Sequence, residues 1–165
     1  MITKYKNTPF QPAKPLLVWD GDCGFCQYWL LWLLNQTGDR INHEPYQKIA
    51  DSIPGLPKWA FREAVRFIET DGSVFSGASA FYQAYTYTNS KSNTRLIRMY
   101  NHRSFFRYMS DHSYSFISKN RRCMFFLTKL FWGKNPVKLK KYWLIYLIIV
   151  TLLLTWLVVS TLSII

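Results

Sequence analysis

The sequence predicts an α/β domain, a sheet with flanking helices, joined to a C-terminal transmembrane helix. Three observations predict it. A short apolar run at 16–19 is followed at once by a turn and an apolar helical stretch. Two further β-type runs enclose the turn signal Thr70-Asp71-Gly72. The last 24 residues, 142–165, carry no charge, proline or glycine.

Composition sets the bounds. With 165 residues, 49% of them apolar, the chain suits one modest domain and is too short for two of ordinary size. An aromatic content of 18% excludes intrinsic disorder, because such a chain has abundant apolar surface to bury. Three cysteines exclude a disulfide-stapled secreted module. The net charge of +12 is unevenly spread. Residues 1–90 carry eight basic and eight acidic groups, and residues 91–141 carry 13 basic and one acidic.

Taken in order, 16–19 reads as a buried strand, since it is a continuous apolar run. Asp20-Gly21-Asp22 is a turn, and Asp22 or Cys23 caps the helix that follows, 26–34, which Gly38 ends. Residues 40–46 form a second strand, 47–53 a short helix and 52–57 a loop. Residues 65–69 and 73–76 pair as a hairpin across Thr70-Asp71-Gly72. Gly77-Ala78-Ser79 opens a helix through 87, a polar linker spans 88–93, and two basic helices lead to the final segment. No internal repeat or low-complexity segment is present.

The chemistry lies in Cys23-Gly24-Phe25-Cys26, at the opening turn of a helix directly after a strand. Disulfide exchange needs a thiolate, and a helix N-terminus lowers a cysteine pKa through its partial positive charge and free N–H groups. Cys23, nearest the turn, is the attacking sulfur; Cys26, one turn later on the same face, resolves the mixed disulfide. Asp20 has two opposed effects: its charge disfavours a nearby thiolate, yet at the strand end it could take the proton of Cys26. The second is the preferred role. A Cys-x-x-Cys pair is also half a zinc site, but the other candidates, Cys123, His43, His102 and His112, are scattered without paired spacing. Two unreactive buried cysteines are the bland alternative. No metal or cofactor is expected.

The stretch Val18-Trp19-Asp20-Gly21-Asp22-Cys23-Gly24-Phe25-Cys26 resembles the signature of the DCC family of thiol-disulfide oxidoreductases, named for an Asp and two Cys spaced D-x-x-C-x-x-C and met here by Asp20, Cys23 and Cys26. The run 65–80, through Asp71-Gly72 and Gly77-Ala78-Ser79, is similar to that family's hairpin and following helix start. Residues 114–133 resemble its closing helix. The resemblance implies a thioredoxin-like fold and protein-disulfide reductase activity. It covers roughly residues 14–133, a thioredoxin-like domain preceded by an N-terminal extension (1–13); outside the resemblance, composition marks a basic juxtamembrane linker (134–141) and a transmembrane anchor (142–165). The cis-proline of the thioredoxin site has no counterpart near Val65, as Pro54 and Pro57 lie well upstream.

A helix of 24 residues measures about 36 Å, against a hydrocarbon core of about 30 Å. Tyr142, Trp143 and Tyr146 stand at its start, as an interfacial belt would. Lys134, Lys138, Lys140 and Lys141 precede it, and no signal peptide opens the chain, so the expectation is a single-pass membrane protein with its N-terminal domain cytoplasmic. Arginines interleaved with aromatics in 91–141 fit either nucleic acid or an anionic leaflet, and the adjoining span favours lipid. The expected partners are a disulfide-containing protein or small thiol, and membrane lipid; nucleic acid is disfavoured. The function expected is a membrane-tethered thiol-disulfide oxidoreductase. The alternatives are a non-catalytic membrane-surface module that uses its basic face, and a metal- or redox-sensing domain.

Overall fold

Along β1, Leu16–Trp19, alternate side chains face opposite sides of a sheet, and each side has its own core. Leu16 and Val18 pack with Ile68, Val74, Ile53, Leu56 and Phe61; Leu17 packs on the other side with Phe67, Leu30, Leu33, Ala80 and Ala84. The period of two therefore makes β1 the central wall of the domain. The computed structural model describes residues 2–89 and 93–162. The middle of the expected polar linker (90–92) and the end of the expected anchor (163–165) lie outside the described residues.

Four strands form one mixed sheet in the order β2-β1-β3-β4. β2 (Asn42–Pro45) runs parallel to β1 with Trp19 opposite Pro45. β3 (Arg66–Ile68) lies antiparallel to β1, and β4 (Val74–Ser76) antiparallel to β3. A parallel strand–helix–strand unit followed by an antiparallel hairpin is consistent with a thioredoxin-like fold. The N-terminal extension adds to the edge, where Val74 N–H donates to Lys6 O and Thr8 N–H to Gly72 O.

Helix α1 (Gly24–Thr37) is longer at both ends than its apolar run suggests. It starts at the Cys23 cap and stops where Gly38, at φ 57°, turns the chain and donates to Leu34 O. The stretch expected as one short helix is α2 (Tyr46–Ile49) followed by a 3₁₀ turn at Ala50–Ser52. A further helix, α3 (Lys58–Glu63), occupies a stretch to which the sequence assigned no element. After α4 (Ala78–Tyr85) the basic region holds three helices rather than two: α5 (Asn93–His102), α6 (Ser104–Lys119) and α7 (Arg121–Trp132). The expected closing helix is interrupted at Asn120, whose side chain donates to Phe116 O and so competes with continuation.

Arg66 is fully buried in β3. Its guanidinium donates to Ala60 O and Thr3 O and reaches Glu63, and burial pulls its pKa down despite that carboxylate. The N-terminal extension and α3 are thereby fastened to the sheet.

The last helix, α8 (Tyr142–Leu162), is wholly uncharged, and near its start Tyr146 meets Phe131 edge-on. Among the described residues no helix is long and apolar enough to cross a membrane, so the expected transmembrane helix is not shown.

Candidate active site

β1 ends at Trp19, and the chain reverses through a turn closed by Cys23 N–H on Asp20 O at 3.2 Å. Asp22 N–H donates to Asp20 Oδ1 at 3.2 Å, an Asx-type turn that aims the next residues into α1. Cys23 is the cap: its Sγ accepts from Cys26 N–H at 3.2 Å. Of the two capping candidates, the structure selects the cysteine. Cys23 and Cys26 are joined as a disulfide with Cα atoms 5.2 Å apart, and both are half-buried. The pair is thus held together at the positive end of a helix of 14 residues.

Gly24 between them admits a neighbour that the sequence did not announce. A Cβ there would lie 2.8 Å from Cε1 of Phe125, whose ring on α7 covers this first turn. Tyr28, one turn on, donates to Gly133 O at 3.0 Å, and burial pushes its phenol pKa up. Trp29 meets Trp132 edge-on at 6.0 Å. α7 therefore clamps α1 from the side opposite the sheet.

Asp20 lies at the centre of a polar cluster. Its Oδ1 accepts from Gln47 Nε2 at 3.0 Å as well as from Asp22 N–H; its Oδ2 accepts from Arg121 Nη1 at 2.8 Å. Gln47 also bridges Gly21 N–H and Asp22 Oδ2. Arg121 further donates to Arg62 O, Glu63 O and Ser118 Oγ. The ion pair is largely buried, with 19% of the Arg121 and 15% of the Asp20 side chain exposed. Three donors fill three of the about four acceptor positions of a carboxylate, leaving one open. Among the described residues no hydrogen bond joins Asp20 to either sulfur.

Asp20 and Cys26 share instead the rim of an apolar cavity of about 530 Å³ between β1, α1, α4 and α6. Trp19, Phe25, Trp29, Phe81, Met109 and Tyr114 are among its walls. Tyr114 accepts from Val65 N–H, and burial pushes its phenol pKa up, so it stays protonated at neutral pH.

The structure thus brings the predicted Asp20, Cys23 and Cys26 into one turn. The other metal-ligand candidates are distributed over separate elements: His43 on β2, His102 at the end of α5, His112 on α6, and Cys123 exposed on α7. Among the described residues no cis peptide bond is present.

Gln47, Arg121 and Phe125 were missed. For Gln47 a signal exists, because parallel pairing of Trp19 with Pro45 carries residues 20–22 alongside 46–47. Arg121 was legible only as one of many basic residues.

No curated protein and no solved structure matches the chain. A family model matches residues 17–127, two-thirds of the sequence, and covers the strand, the turn, both cysteines, the hairpin and most of α7. The chain belongs to the DCC1-like thiol-disulfide oxidoreductase family.

Proposed function

We propose that the protein is a membrane-tethered thiol-disulfide oxidoreductase of the protein-disulfide reductase type. The observation that carries this reading is the half-exposed Cys23–Cys26 disulfide capping α1 directly after β1. In the reduced form Cys23 thiolate attacks a substrate disulfide, forming a mixed disulfide and expelling one substrate thiolate. Cys26 loses its proton and attacks Cys23 Sγ, which restores the Cys23–Cys26 bond and expels the second substrate thiolate. Both leaving thiolates are protonated, so two protein thiols and one substrate disulfide become one protein disulfide and two substrate thiols. Asp20, which lines the same cavity as Cys26 and has one acceptor position open, takes the Cys26 proton. The disulfide partner is a protein or a small thiol compound.

The membrane part of the reading is supported by α8, whose side chains from Leu144 to Leu154 are mostly exposed and apolar, and by exposed Phe105, Phe116 and Phe126 on the basic helices. Uncovered apolar surface of this extent marks a lipid or protein contact. Residues 142–165 anchor the chain, and the four lysines before them keep the N-terminal domain on the cytoplasmic side. The same exposed basic face favours the second reading, a non-catalytic membrane-surface module.

One experiment separates the two. The full chain in detergent is alkylated before and after treatment with a dithiol across a redox-buffer series. A reversible Cys23–Cys26 couple, with insulin reduction that disappears in Cys23→Ser, supports the oxidoreductase; thiols inert at pH 8 support the surface module. Flotation with anionic vesicles, and its loss on deleting 142–165, tests the tether.

A further inference from the structure

We propose that the cavity beside Cys26 is a specificity pocket for a protein substrate whose reactive cysteine has a bulky apolar residue two positions away and acidic neighbours. This rests on the exchange reading above and identifies the substrate class of the same site. Protein interiors are close-packed, and voids much larger than a water molecule are few. A cavity of about 530 Å³, lined by Leu17, Leu30, Phe61 and Phe81, is within the range of ligand sites, roughly 300–1,000 Å³. Its rim is the redox site itself, since Phe25, Cys26, Asp20 and Arg121 all border it.

The covalent chemistry fixes where the substrate lies. In the mixed disulfide the substrate sulfur is about 2 Å from Cys23 Sγ, and Cys23 is one helical turn from Cys26. The substrate backbone on one side of its cysteine then runs toward Phe25 and Cys26, which line the cavity. In an extended segment alternate side chains share a face at roughly 3.3 Å per residue. The residue two positions from the cysteine therefore points the same way as the reacting sulfur, about 7 Å along the chain, and is the side chain offered to the apolar walls. A glycine there leaves the walls uncovered; a Phe or Leu buries them. The polar surroundings set the charge. Arg62, Lys119 and Arg121, against Asp20 and Glu63, border a second hollow that shares Asp20 and Arg121 with the cavity, and 13 basic groups against one acidic occupy 91–141. Carboxylates flanking the substrate cysteine are attracted to that field, and lysines are repelled.

The test uses the pre-reduced full chain in detergent and acidic pentapeptides whose single cysteine is a mixed disulfide with 5-thio-2-nitrobenzoate. Release of the coloured thiolate gives the second-order rate constant. The Phe peptide is expected to react about tenfold or more faster than the Gly peptide, as burying an aromatic side chain implies. Replacing the flanking Glu by Lys should slow it, with the difference shrinking at high salt. Ser113, exposed on α6 at the cavity wall, gives the decisive variant. Ser113→Trp should bring the Phe-to-Gly ratio below about twofold, and Met109→Trp should do the same. A general loss of activity slows both peptides and leaves that ratio unchanged. Equal rates for Phe and Gly peptides, or a ratio untouched by both variants, overturn the proposal and leave the exchange reading standing. No release from any peptide overturns both.

Discussion

Removing the Arg121 guanidinium tests whether the ion pair at the site is structural, electrostatic or idle. The Nη1–Oδ2 contact is 2.8 Å, and at an effective dielectric constant near 20 two unit charges at that distance attract by roughly 6 kcal/mol before desolvation. Desolvation takes back most of that, because four-fifths or more of each side chain is already withdrawn from water. A charged hydrogen bond of this kind retains about 1.5–3 kcal/mol. Arg121→Ala also strips donors from Arg62 O, Glu63 O and Ser118 Oγ. The expected loss is about 3 kcal/mol, or roughly 6–12 °C in Tm for a chain of this size. The assay is a double-mutant cycle with Asp20→Asn, read by urea denaturation of the oxidised protein. A coupling energy of about 1.5–3 kcal/mol is expected, together with slower thiol exchange in Arg121→Ala, where the Asp20 charge is left uncompensated beside the dithiol. A coupling energy below about 0.5 kcal/mol would refute the reasoning, as it is what a solvated surface pair gives.

Three further outcomes are expected. Gly24→Leu should cost about 1–3 kcal/mol by collision with the Phe125 ring and become close to neutral in a Phe125→Ala background; an equal cost in both backgrounds would show that the ring is not the obstacle. Burial and the Glu69 carboxylate, 2.7 Å from the phenol oxygen, hold the Tyr87 pKa well above its ordinary 10. Above pH about 10 the unfolded chain therefore releases a proton that the folded one keeps, and stability falls as pH rises through that window. Tyr87→Phe should flatten the alkaline limb of a stability–pH curve, and an unchanged limb would assign the loss to other groups. Arg66→Met should destabilise by about 2–4 kcal/mol in urea, since Ala60 O and Thr3 O lose their buried donor; a change within 0.5 kcal/mol would mean that water replaces it.

The candidate site was legible where its signals are local. Asp20, Cys23 and Cys26 fall within seven residues, and a strand, a turn and a helix start can be read at that range because each depends on neighbours a few positions away. The hairpin was legible for the same reason, through Asp71-Gly72. The missed helix α3 begins after Pro57, a sound helix start that the preceding loop residues masked. The break at Asn120 was missed because the apolar pattern of 114–133 runs straight through it.

By itself the sequence determined the continuous apolar run that lets β1 be buried on both faces, the placing of two thiols at a helix start, and a final helix with no charge. Each follows from side-chain period, capping chemistry or composition, which act along the chain. Only the tertiary structure decided that Asp20 is held by an arginine 101 residues away, that an α7 ring covers Gly24, and that Cys26 opens onto an apolar cavity. Such contacts join residues with no shared local pattern. They exist because two cores fold against opposite faces of one sheet and carry α6 and α7 back over the first turn of α1.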